Sequence, residues 1–216
     1  MKDYTFRKAN ESDIDFIVES IIEAEKSGTD RLSYSTLFGL TEAEVRSLLS
    51  EALMEDMEDC DLWLSGFVVA EYEGRPVASL SAWVEALNGI PSVNVKGNLL
   101  GFLLPREALM RANKLNHICS ELSTEYKPGS FWLGAAYVAP EHQGNLLLVR
   151  LCQEQINLHP EATGVYCQVF ANNAASIQNF KLMKFELSEE YNSNNEKINE
   201  LLPSNGKFIF YKELSR

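Results

Sequence analysis

The sequence is poor in histidine and in positive charge: 3 histidines, and 19 Lys and Arg against 31 Asp and Glu, for a net charge of −12. Neutralising a phosphate backbone rests on Lys and Arg, so nucleic acid is not expected as a partner. His117, His142 and His159 share no ligand spacing, and the four cysteines, Cys60, Cys119, Cys152 and Cys167, form no CxxC pair. No metal is expected, and cysteines set within apolar patterns read as reduced, buried small hydrophobes. No run approaches the roughly 18 apolar residues that a membrane helix needs, and Met1-Lys2-Asp3-Tyr4-Thr5 carries no apolar signal core. A cytoplasmic protein without membrane contact is the expectation. The Gly-x-Gly-x-x-Gly and Gly-Lys-Ser/Thr loops are missing too, which removes the usual phosphate cradle of nucleotide-binding proteins.

What is present suits one domain. The chain has 216 residues, 45% apolar and 23% charged, enough for a single sizeable core and too short for two. Its acidic field favours cationic small molecules such as amines.

The organising stretch is Phe131 to Leu158, FWLGAAYVAPEHQGNLLLVRLCQEQINL. It opens as a buried strand that Pro140 terminates, passes a polar elbow from Glu141 to Asn145, and continues with Leu147, Leu148, Leu151, Cys152, Gln155 and Ile156 at helical spacing. A helix that begins directly beyond a strand end aims unpaired amides and its positive dipole end at the turn, an anion site. Arg150, Lys181 and Lys184 are the nearby positive charges.

Before it, Tyr4 to Lys8 alternates as a strand, and Asn10 to Asp13 supplies caps for a helix through Lys26 with Ile14, Ile17, Val18, Ile21 and Ile22 on one face. Ser27 to Leu40 reads as loop. Thr41 to Glu44 is a capping box that opens a second helix. Trp63–Tyr72 and Pro76–Glu85 are strands joined by a tight turn at Glu73-Gly74-Arg75. Residues 88–130 are too long for a simple connection and read as a helical insertion, with a helix beginning after Pro105. Gly164 to Phe170 is another buried strand, parallel to the central one. Asn172-Asn173 caps a helix through Phe180 and Met183, after which Phe185 restarts an extended chain; Ser188 to Gly206 reads as loop with a short helix at Ile198 to Leu202, and Phe208 to Tyr211 closes the chain as a strand.

Four of these segments, in order, resemble the GCN5-related N-acetyltransferases: Arg7 to Asp13; the hairpin from Phe67 to Ala78; Tyr137 to Asn145, with Gln143 opening a Gln/Arg-x-x-Gly-x-Gly/Ala pattern; and Asn173-x-x-Ser176-Ile177-x-x-Phe180-x-x-x-Lys184-Phe185. The pattern's glycines fall on Leu146, Leu148 and Lys184, and its tyrosine on Phe180. The resemblance implies an α/β (α+β) fold, a mixed sheet splayed at its centre with flanking helices and the insertion between the third and fourth strands. It implies acetyl-CoA in the split and an amine acceptor, small molecule or peptide/protein, entering opposite. Tyr137 and Val138 would hold the pantetheine arm, with Asn173 as a polar contact and Phe180 beside it. The amides of Gln143, Gly144, Asn145, Leu146, Leu147 and Leu148 would meet the pyrophosphate.

Transfer from thioester to amine needs a neutral amine, a stabilised oxyanion and a departing thiol. A backbone amide near Val138 would serve the oxyanion. Glu85, ending the hairpin, is the first candidate for drawing the amine's proton and Glu141 the second. Phe180 cannot donate a proton, so Tyr137 or Tyr126 is the candidate acid, and a thiol with a pKa near 8.5 can also leave unaided. Asp30, Ser33, Tyr34 and Ser35 are acceptor-site candidates, and residues 88–130 a candidate lid. An acyl-CoA-binding relative that has lost catalysis and serves as a sensor is the alternative, motivated by the changes at Leu146, Leu148 and Phe180. A homodimer is compatible with the sequence.

Overall fold

The computed structural model describes residues 3–214. Seven strands, β1 (Thr5–Lys8), β2 (Phe67–Tyr72), β3 (Arg75–Val84), β4 (Phe131–Val138), β5 (Gly164–Phe170), β6 (Glu186–Asn192) and β7 (Gly206–Glu213), form one sheet in the order β1-β2-β3-β4-β5-β7-β6. Every neighbouring pair is antiparallel except β4–β5. The β2–β3 hairpin turns through Glu73 and Gly74, both at positive φ (52° and 74°), the backbone that a two-residue turn needs to match strand twist.

Strands β2 and β3 are buried along most of their length because helices cover both faces, which explains their nearly unbroken apolar sequence. On one face α1 (Ile14–Lys26) and α3 (Glu42–Met54) set Ile17, Val18, Ile21, Leu49 and Leu53 against Phe67 and Val69. On the other, α6 (Leu147–Leu158) and α7 (Ala174–Leu182) set Leu147, Leu151 and Phe180 against Val68, Ala70 and Leu80. Within this second layer Gln155 is buried, and its Nε2 donates to the carbonyls of Gly66 and Leu80 at 2.9 and 2.7 Å. Those bonds stitch α6 at once onto β3 and onto the turn that leads into β2.

Capping follows the sequence. Asn10 and Asp13 form a reciprocal box ahead of α1, Thr41 and Glu44 another ahead of α3. Asp13 is buried; burial pushes its carboxyl up, but the two-pronged Arg7 guanidinium and the Asn10 amide outweigh that and hold it below the usual range.

Three elements depart from the sequence reading. α2 (Ser33–Phe38) occupies the expected loop, because Tyr34, Leu37 and Phe38 fall one turn apart and Gly39 closes it in a left-handed cap. α4 (Ser92–Leu103) precedes α5 (Arg106–Cys119) in the insertion; its apolar residues lie all round, so no amphipathic stripe marks it. β6 starts in the extended chain expected after Phe185 but runs on to Asn192, into the expected polar loop: an edge strand, exposed along nearly its whole length and paired to β7 alone, has no buried face to impose alternation. α8 (Ile198–Leu201) is the short helix expected there.

Cys60, Cys152 and Cys167 are buried and, like half-buried Cys119, unpaired, and burial pushes the Cys60 and Cys152 thiols up to about 11 and about 12. Among the described residues no helix is long and apolar enough to cross a membrane.

Candidate active site

The sheet opens where β4 and β5 part. They pair only at Phe131 with Val165, Trp132 with Tyr166 and Leu133 with Cys167, yet β4 runs on to Val138 and β5 to Phe170. The cause lies on the opposite edge of β4. Leu80 faces Ala136 while Ala82 faces Leu133, so Ser81 stands against both Gly134 and Ala135, a bulge that bends the strand. Glycine is required there: a Cβ on Gly134 would lie 2.3 Å from Ser81 Oγ and 3.0 Å from the Trp83 ring.

Beyond the split comes the elbow. His142, buried in the Pro140–His142 turn, packs against the Tyr4 and Tyr72 rings and sets Nδ1 3.0 Å from the Tyr4 hydroxyl. Tyr4 thus anchors the turn that delivers the chain to α6. Leu146 is the residue before α6 and makes no side-chain cap; the first amide to bond back into the helix is that of Arg150, to the Leu146 carbonyl. The earlier amides of the helix have no intrahelical partners.

Leu146 is left-handed (φ 56°, ψ 24°), as is Lys184 (φ 64°). Both are positions where the pattern calls for glycine, so the backbone retains the conformation glycine favours although the side chains differ. Leu146 is 69% exposed, directed to solvent, and Leu147 is in the core. Leu148 packs half-buried on the second core layer.

A cavity of about 580 Å³ extends from the split. Gly134, Ala135 and Ala136 of β4, Cys167 to Phe170 of β5, and Asn173, Ser176 and Phe180 of α7 line one end. Glu25, Tyr34, Asp61, Trp83, Lys96, Tyr126 and Lys207 are among the residues lining the rest, and the insertion supplies part of that wall from α4, α5 and the segment that follows. Lys96 bridges Asp61 at 2.7 Å and sits over the Tyr34 ring. Burial alone would lower its pKa, but Asp61, Tyr34 and Glu25 outweigh burial and hold the ammonium well above its ordinary value. Burial pushes the Tyr34 and Tyr126 hydroxyls up and raises the Glu25 carboxyl, while it lowers Lys207 to about 8.

The sequence candidates divide by place. Tyr34 and Ser33 line the cavity, as does Tyr126; Asp30 and Ser35 do not. Phe180 forms part of the wall, packed on Phe185 and Phe210. Asn173 caps α7 through Oδ1 and donates from Nδ2 to Ser27 Oγ at 3.1 Å. Tyr137 lies half-buried against the Phe16 ring, its hydroxyl pKa raised by burial with Glu19, Glu23 and Glu141 adding to it. Val138 accepts at its carbonyl from Gln143 Nε2, and Asn145 Nδ2 donates to the His142 and Gln143 carbonyls. Gln143, Gly144 and Asn145 are exposed, and Gly144 is left-handed. Glu141 is exposed on the elbow. Glu85 is 2% exposed and does not line the cavity; its carboxylate accepts from Trp83 Nε1 at 3.3 Å and from the Ser92 amide at 3.0 Å, fastening the start of α4. Arg150 lies over the Phe6 ring. Glu25, Asp61, Lys96 and Lys207 went unmarked in the sequence, where each looks like any surface charge.

A mixed sheet parted between two parallel strands, with an uncapped helix following the first of them, is the fold of the GCN5-related N-acetyltransferases, and this chain has it. An N-acetyltransferase from Staphylococcus aureus Mu50 superposes with a TM-score of 0.70 at 12% identity over 96% of this chain and 100% of that one. The polyamine N-acetyltransferase of Drosophila melanogaster, which forms N-acetylagmatine, does so at 0.60 with 14% identity, over 98% and 100% of the two chains. A Salmonella typhimurium protein solved with its cofactor acetyl-CoA aligns at 0.53 with 16% identity, over 99% and 95%. No protein-family model and no curated protein sequence matches the chain.

Proposed function

We propose that the protein transfers an acetyl group from acetyl-CoA to a primary amine. The observation that carries this reading is the parting of β4 from β5 beyond Leu133 and Cys167, with a cavity reaching into the gap. The edge of β4 at Tyr137 and Val138, left without a strand partner on that side, suits an amide-rich pantetheine arm, and Asn173, which lines the cavity and is bonded to Ser27 and Ser176, is the candidate polar contact. The amides from Gly144 to Leu148 suit the pyrophosphate, because a helix start offers both donors and a favourable dipole, whereas the expected Gln143 amide is already given to the Pro140 carbonyl at 3.3 Å. The thioester brings the activated acyl group; the chain's part is to hold it, orient the amine and take up a proton.

Of the two carboxylates expected to draw the amine's proton, Glu85 is held by Trp83 and Ser92 away from the cavity and Glu141 is exposed at the elbow; Tyr137 is the tyrosine nearest the elbow in sequence. Phe180 leaves its position without a proton donor, which favours departure of the thiol as thiolate and a slower reaction. The same residue favours the second reading, a CoA-binding protein without turnover.

Thermal unfolding with increasing acetyl-CoA or CoA tests the site: a ligand at 100 times its Kd adds about 2.7 kcal/mol of stability. Thiol release on a panel of amines then separates the two readings. Stabilisation with release supports the transferase, stabilisation without release on any amine supports the binding protein, and no stabilisation removes both.

A further inference from the structure

Two of the ionisable groups that line the cavity lack an opposite charge in contact. Lys207 is 9% exposed, at the start of β7 beside Phe170 of β5, and among the described residues no carboxylate lies within ion-pair distance of it; only the Tyr191 ring lies under its ammonium, at 5.5 Å. Glu25, on the last turn of α1, likewise forms no ion pair among the described residues, whereas Asp61 and Lys96 satisfy each other at 2.7 Å. Glu25 and Lys207 feel each other's charge without touching. An unpaired buried charge is costly, and replacing it with an apolar group commonly stabilises a protein. A cavity that keeps one of each sign apart is therefore complementary to a ligand carrying the reverse pair. A further vacancy lies in the same cavity: Tyr34, 5% exposed, has no partner within hydrogen-bond distance of its hydroxyl.

We infer that the acceptor is a zwitterion, an amino acid or similar molecule whose amine is received at Glu25 and whose carboxylate is received at Lys207. The inference rests on the acetyl-transfer reading of the same site. Glu25 acts as the base: its carboxylate first takes one proton from the ammonium and passes it to water, which frees the nitrogen lone pair; as that nitrogen bonds to the acetyl carbon and the carbon–sulfur bond breaks, the nitrogen loses its second proton by the same route, and CoA departs as a thiolate that takes up a proton from water. Burial raises the Glu25 carboxyl, Lys96 and Lys207 opposing it, so its affinity for a proton is greater than that of a surface glutamate. Lys207 takes no part in the bond changes; it positions the acceptor and selects it.

The test offers acetyl-CoA with glycine, β-alanine, γ-aminobutyrate and lysine, each against its own primary amide, which keeps the amine and removes the carboxylate. At least one free acid should be used about tenfold or more better than its amide in kcat/KM, the preference expected from one buried charge contact. Lys207→Met should abolish that preference by raising KM for the acid alone, and should raise the melting temperature. Lys207→Arg should restore the preference. Glu25→Gln should lower kcat for acid and amide alike by about 10²-fold, the lower end for a lost base, and leave the stabilisation by acetyl-CoA unchanged. Equal use of acids and amides, or use of neither while acetyl-CoA still stabilises the protein, overturns the zwitterion; so does a Lys207→Met variant that melts lower and keeps the wild-type preference. A wild-type protein that acetyl-CoA fails to stabilise instead removes the transferase reading beneath it.

Discussion

At the scale of single residues, two side chains sit where the backbone or the burial disfavours them. Leu146 holds a left-handed conformation that costs a non-glycine residue roughly 1–2 kcal/mol, and its side chain gains little because it faces solvent. Leu146→Gly should raise stability by about 1 kcal/mol or less, since the greater freedom of glycine in the unfolded chain offsets part of the relief, and should tighten CoA binding at the opening. A lower urea midpoint for the variant would contradict this. Lys207 gives a pH signature. Its pKa falls from 10.5 to about 8 on folding, so the folded state binds fewer protons between those values and stability declines as pH falls from 10.5 to 8. The stability that Lys207→Met gains at pH 7, on the order of 3 kcal/mol, should therefore shrink as pH rises from 8 towards 10.5, which urea titrations across that range would show. The groups that share this corner, Glu25 and Asp61, Lys96, Tyr34 and the Tyr191 ring, remain in the variant. None of this is legible from neighbours along the chain, because a lysine next to a glycine at a strand start looks like surface.

At the scale of elements, the capping boxes and the β2–β3 turn act locally and are legible as such, whereas the placement of α6 depends on a contact between residues distant in sequence. Gln155 occupies an apolar face of α6 and satisfies two backbone carbonyls, one in β3 and one just before β2, through one amide. Gln155→Leu would keep the bulk and strand both acceptors, at about 1–3 kcal/mol. Urea unfolding should report that loss, and a change within a few tenths of a kcal/mol would mean that water replaces the amide. The elbow offers a second case. Tyr4→Phe removes the hydroxyl that meets His142 and leaves the rings packed, so stability should fall by about 0.5–1.5 kcal/mol, the net worth of one hydrogen bond, while CoA affinity falls because the start of α6 is less firmly aimed. Unchanged affinity in a destabilised variant would show that the turn is held by packing alone. Helix α2 and most of strand β6 escaped the sequence reading for opposite reasons: α2 is too short for its period to stand out, and β6 has too little burial to have one.

At the scale of the whole molecule, the sheet behaves as two halves joined at the short parallel contact of Phe131 to Leu133 with Val165 to Cys167. Amide exchange should reflect this. The amides of residues 134–138 that face the split lack strand partners and should exchange faster than those facing β3, then gain protection when CoA is added; binding without such protection would place the ligand elsewhere. The amino-acid sequence by itself determined the order of the main elements, the strand–elbow–helix unit, the position of the insertion and the register of the acetyltransferase-like segments, because periodicity, caps and turns are written in near neighbours. Only the tertiary structure decided that β4 and β5 part, since the bulge depends on Gly134 meeting Ser81 and Trp83 across the sheet. It alone also gathered Glu25, Asp61, Lys96 and Lys207 from four separate segments around one cavity, where burial, which no local pattern encodes, turns ordinary charges into recognition groups.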